Sequence, residues 1–130
     1  MIKVQYTRYR LFSPVTVDGK EVFVTRLPKG GDDSFLVSGD AFCHPIEELQ
    51  PIPLDRAFFE RHPDIFKRVN DVYEHYGNSH VVTIDDNSMC LIDGKEYGYV
   101  YRHELINILD DLCNCHIPLP DIVANKQTKD

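Results

Sequence analysis

The tetrapeptide Asp-Gly-Lys-Glu occurs twice, at residues 18–21 and 93–96, each time between apolar, strand-forming residues: Val17 and Val22 flank the first copy, Ile92 and Tyr97 the second. Asp-Gly between alternating apolar residues is a strong hairpin signal, because both central positions of a type I′ turn need positive φ. Each copy therefore commits the chain to two antiparallel strands. The flanks do not otherwise match, since the first copy leads into a loop and another strand and the second into a helix. A duplicated unit would keep its element order, so the repeat reads as turn chemistry and not as a doubled active-site motif.

Around these turns the chain reads as a series of short elements. Ile2, Val4 and Tyr6 alternate at period two, which predicts a first strand over 1–12, interrupted by Ser13-Pro14. Strands are then expected at 15–17, 22–27 and 35–37, with a loop over 28–33 and a turn at Gly39-Asp40. Four or five short strands within about fifty residues match the scale of a small SH3-like barrel. Pro51 and Pro53 hold the chain extended before Asp55, the expected N-cap of a helix. Apolar residues at 58, 59, 65, 66, 69, 72 and 73 trace a helical stripe broken at His62-Pro63, predicting a second helix from Pro63. Residues 72–76 fit a strand equally well, and pattern leaves the two open. Strands are expected at 80–84, 89–92 and 97–101, with a turn at 85–87, and Leu105, Ile106, Ile108, Leu109 and Leu112 mark a last amphipathic helix ended by Pro118 and Pro120. The fold class is α+β: an N-terminal SH3-like β-barrel over 1–50, then helices, a short antiparallel meander and a closing C-terminal helix over 51–120 sharing one core, and a flexible tail over 121–130.

A chain of 130 residues suffices to bury a core without staples, and no apolar run approaches the roughly eighteen residues of a membrane span. The start, Met1-Ile2-Lys3-Val4-Gln5-Tyr6, lacks the apolar stretch of a signal peptide. Four unevenly spaced cysteines fit a reducing cytoplasm and free thiols. The net charge of -7 argues against general nucleic-acid binding, which depends on neutralising phosphates. It hides an asymmetry: residues 1–30 hold six basic groups against two acidic ones, a net of +4, and the rest hold eight against nineteen, a net of -11. The basic stretch either pairs with the chain's own acids or forms a binding face. On an extended first strand Arg8 and Arg10 would share one side about 7 Å apart. Arg8, Arg10 and Arg26, with Tyr6 or Tyr9 to stack on a base, are thus the candidate ligand-binding residues for a small anionic, nucleotide-like molecule.

No other constellation carries chemistry. Cys113-Asn114-Cys115-His116 has the wrong spacing for a closed zinc site, because helical geometry points the two thiols about 200° apart. Cys43-His44 could supply a nucleophile and base only across a turn. The glycine-rich stretch 27–33 lacks the Gly-Lys-Ser/Thr ending of a phosphate loop, 37–40 lacks a nucleophile elbow, and 85–87 lacks the glycine and distal glutamate of a calcium loop. No cofactor, metal or catalytic residue is expected.

The order of a short barrel, Ile46-Glu47-Glu48-Leu49-Gln50-Pro51-Ile52-Pro53-Leu54, a helix, a meander and Tyr99-Val100-Tyr101-Arg102-His103-Glu104-Leu105 entering a helix resembles a group of small proteins of Bacteroides-type gut bacteria and their phages. Those proteins carry an Ile-Pro-Leu-Thr segment before the helix and a Tyr-Val-His-Glu/Gln-Leu-Gln stretch near the end. The likeness spans residues 20–115; Asp55 replaces the threonine, and an arginine is inserted before His103. It implies a cytoplasmic accessory protein encoded by a phage or mobile element. The leading expectation is a non-enzymatic protein-interaction module with a protein partner, self-association being open. The alternative is a protein that sequesters a small anionic ligand in counter-defence.

Overall fold

A computed structural model describes residues 6–29, 34–39 and 42–117. By its internal contacts the chain divides into two compact units, Arg8–Ile52 with Ile117–Asp130, and Met1–Thr7 with Pro53–His116. Both are rich in antiparallel sheet, and the second carries the longer helices of an α+β chain.

In the first unit β1 (Pro14–Val17), β2 (Lys20–Arg26), β3 (Ser34–Val37), β4 (His44–Pro45) and β5 (Gln50–Pro51) form a curled sheet in the order β4-β3-β2-β1-β5. Asp18 and Gly19 both take positive φ, 52° and 79°, so the first Asp-Gly forms the tight β1-β2 turn read from the sequence. A register shift between Val24 and Arg26 bends β2 where it leaves β1 for β3. A single 3-10 turn, Ile46–Glu48, precedes β5. Val15, Val17, Val24, Phe35, Val37 and Leu49 form the core, with Tyr9 and Val22 packed against it.

The expected strand over 1–12 is corrected in its described part. Tyr6 and Thr7 are helical, Arg8 lies in a bend, and Leu11 and Phe12 form a turn. Ser13 causes this: its Oγ accepts the Arg10 N–H at 2.7 Å, its own N–H reaches the Arg10 carbonyl at 3.0 Å, and Phe12 is driven to φ 70°. Residues 1–5, 30–33 and 40–41, and with them the expected early strand residues, the glycine loop and half the Gly39-Asp40 turn, lie outside the described residues. So do Pro118, Pro120 and the expected tail.

In the second unit Asp55 caps α1 (Arg56–Glu60), accepting the Phe58 N–H at 2.9 Å. No second helix follows Pro63. The chain makes a turn in which the His62 carbonyl receives the Ile65 and Phe66 N–H groups, then enters β6 (Lys67–Val69). Asn70, at φ 56°, turns β6 into β7 (Val72–Gly77), which settles residues 72–76 as strand. β8 (His80–Asp85), β9 (Met89–Ile92) and β10 (Lys95–Tyr99) complete a five-stranded meander, with Asp93-Gly94 again at positive φ in the β9-β10 turn. α2 (Arg102–Cys113) follows, and it is Asn114 in left-handed conformation that ends it, ahead of the prolines. The helix packs on β7 and β8, whose inward residues Tyr73, His75, Val82 and Ile84 are buried with Leu105, Ile108 and Leu109. No helix among the described residues is long and apolar enough to cross a membrane.

Candidate functional site

In the Arg8–Ile52 unit, pairing of Ser34 with Pro45 and Phe35 with His44 draws the 3-10 turn against β3. The result is an open cleft of about 280 Å³ lined by Pro28, Phe35, Ile46 and Glu47. Phe35 forms the buried floor, and Ile46 stands 50% exposed on the wall. The same unit leaves Leu27, the neighbour of Pro28, and Phe42 at 38% and 76% exposure, more apolar surface than a folded strand pair needs to show water. The turn carries Glu47 and Glu48 in succession. Glu48 is engaged, its Oε1 lying 2.7 Å from His44 Nδ1, whereas among the described residues Glu47 is the one charged residue lining the cleft.

The expected anion-binding residues are not arranged as on a strand. Tyr6 is buried in the second unit, its ring 6.1 Å from Tyr97 and its carbonyl bound by Asn107 Nδ2 at 3.0 Å. Tyr9 packs edge-on against Phe35, centroids 6.0 Å apart, and so serves the core of that unit. Arg8 is exposed on its bend and Arg10 is half-buried on the turn. Arg26, at the end of β2, turns its Nη2 to within 3.2 Å of Cys43 Sγ. None of these five residues lines the cleft just described or the basin of the second unit.

That basin, about 300 Å³, lies among Asp55, Arg56, Phe59, Tyr73, Asp85 and Asp86, and its carboxylates hold the fold. Asp86 grips Arg68 with both oxygens, at 3.0 and 3.4 Å, which holds the Asp86 carboxyl below its usual range and raises the arginine. The guanidinium in turn covers Tyr73 at 4.7 Å, and Phe59 stacks on that ring 4.1 Å away at 6°. Asp85 Oδ1 accepts the Asn87 and Met89 N–H groups and shapes the β8-β9 turn.

The thiols are separate and free. Burial pushes Cys90 up to about 12, with nearby Cys113 and Glu104 adding, and pushes Cys113 up to about 11, with Cys115 and Asp93 adding. Among the described residues no three His, Cys, Asp or Glu side chains converge as metal ligands would. Cys43 and His44 point to different partners, Arg26 and Glu48. Sequence reasoning missed the cleft, because its lining comes from three stretches that only the β3-β4 register brings together. Compared with protein families, with curated proteins and with solved structures, the chain shows no match.

Proposed function

We propose that the chain is a non-enzymatic protein-interaction module whose binding element is the Arg8–Ile52 unit, an SH3-like barrel. Strand order β4-β3-β2-β1-β5, a curled sheet and a 3-10 turn just before β5 support the barrel reading. The observation that carries the interaction reading is the apolar cleft between Pro28 and Ile46, on a unit that also exposes Leu27 and Phe42. Its open shape favours a side chain of a protein partner over a free small molecule, since ligand pockets enclose most of their guest. The alternative, sequestration of an anionic ligand, loses its strand-borne arginine pair. On this reading the setting is the cytoplasm, as an accessory protein of a phage or mobile element.

Photo-crosslinking tests this directly. A benzophenone amino acid placed at position 46 in the producing cell is expected to give discrete protein adducts that excess unlabelled chain competes away, while the same group at position 83 on the meander gives none. Equal labelling from both positions, or none from either, would refute the reading.

A further inference from the structure

Resting on that reading, we infer that the occupant of the cleft is an extended segment of another protein carrying one large apolar residue and, close beside it, a lysine or arginine. The apolar part follows from the lining. Phe35 at the floor, with Pro28 and Ile46 as walls, offers contact on three sides and, among the described residues, no hydrogen-bonding side chain apart from Glu47, so a polar residue entering there would shed water for little in return. A volume of about 280 Å³ accommodates one large side chain with its flanking backbone.

The basic part follows from charge. Glu47 is exposed and lines the mouth, and among the described residues no cation is paired with it, unlike Glu48 with its histidine. The 3-10 turn itself carries two acids and no base. A carboxylate left at the rim of an apolar slot repels an acidic segment and attracts a basic one as it approaches, which sets specificity and encounter rate more than final affinity. Beside Pro28 stands Lys29, an exposed cation that is not part of the lining. It serves as an internal control for general charge effects. An extended segment advances about 3.3 Å per residue, so a basic residue one to three positions from the apolar anchor reaches Glu47.

The test is selection of a random dodecapeptide display library on the full chain, followed by titration of the synthetic peptides recovered. The expected sequences hold Leu, Ile, Met or Phe within three positions of Lys or Arg. Binding should be abolished by Ile46→Asp, reduced about two- to fivefold by Glu47→Gln and further by Glu47→Lys, and unchanged or improved by Lys29→Gln. The loss at Glu47 should shrink as salt rises. Circular dichroism melts of each variant, expected to match the parent because all three positions are exposed, guard against misfolding. Peptides that need Ile46 yet lack a basic residue, or that ignore Glu47, would overturn this inference and leave the proposed function standing. Peptides indifferent to Ile46→Asp would overturn both. Failure to enrich any sequence would overturn the short-segment inference, with crosslinking from position 46 deciding the wider reading.

Discussion

The two sheets are built alike on the outside and differently within. Each has five antiparallel strands, and each uses the same Asp-Gly turn. Inside the first, the core is Val15, Val17, Val24, Phe35, Val37 and Leu49. Inside the second, His62, His75, Arg102, His103, Glu104 and Asn107 are buried among the aromatic and aliphatic side chains. An apolar interior specifies shape through packing alone, whereas buried polar groups must each meet a partner and so fix particular backbone segments. His103 Nε2 donates to the Thr7 carbonyl at 3.0 Å and Asn107 Nδ2 to that of Tyr6 at 3.0 Å, tying the start of the described chain to α2. Among the described residues, the large hydrophobic side chains that the second unit exposes are tyrosines, whereas the first exposes Leu27, Phe42 and Ile46, and the candidate cleft lies there.

The strongest challenge to this contrast is Phe58→Ala. Phe58 is 0% exposed, packs edge-on with Phe59 at 5.5 Å and His62 at 5.3 Å, and lies under the Arg102 guanidinium at 5.3 Å. Truncation leaves a cavity and takes away the ring under the Arg102 guanidinium, so a loss of about 3–5 kcal/mol in urea unfolding is expected. A loss under about 1 kcal/mol would mean that the polar interior does not depend on its aromatic lining.

Asn107→Ala comes next. It strips the Tyr6 carbonyl of its donor, at an expected cost of about 1–3 kcal/mol. Amide exchange over Tyr6 and Thr7 should rise with it. If the variant melts like the parent, the buried amide is incidental and the two interiors differ only in composition.

What the sequence made legible divides by the range of the forces and not by unit. The Asp-Gly turns, the Asp55 cap and the strands between them were readable because short-range sterics decide them. The supposed helix after Pro63 was not, because Phe66, Val69, Val72 and Tyr73 keep helical spacing across the two-residue turn of a β6-β7 hairpin. Asn70-Asp71 was the signal that could have exposed it. Residues 6–12 looked alternating, yet a local Ser13 hydrogen bond outweighs that pattern. The cleft was invisible for a different reason: Pro28, Phe35 and Ile46 are unremarkable residues until strand register joins them.

The shared turn gives a smaller and more even effect. Gly19 and Gly94 sit at φ 79° and 82° with nothing within 4 Å of an added Cβ, so a side chain there meets backbone strain and no neighbour. Gly19→Val and Gly94→Val should each cost about 1–2 kcal/mol and leave peptide binding at the cleft intact. Melting unchanged with binding lost would restore the motif reading of Asp-Gly-Lys-Glu.

The smallest effect separates the interiors by pH. Burial holds the His103 imidazole below its ordinary 6.5, against the opposing pull of the Thr7 carbonyl and the Glu104 charge. An unfolded histidine then takes up its proton at a higher pH than the folded one, so the unfolded state binds more protons and stability rises with pH. The contribution is complete above pH 6.5 and is lost as pH falls below it, at no more than about 1.4 kcal/mol per pH unit for one site. Asp93, depressed first by the Val81 N–H and then by His80, acts only as pH falls below its ordinary 3.8, so the window between pH 5 and 6.5 is clear of it. In that window amide exchange in α2 should quicken while β1 and β2, with no buried ionisable side chain in their core, hold steady. His103→Gln, whose amide can still donate to Thr7, should flatten the slope without removing the hydrogen bond. A slope that survives the substitution would assign the acid sensitivity to another group and leave His103 a neutral strut.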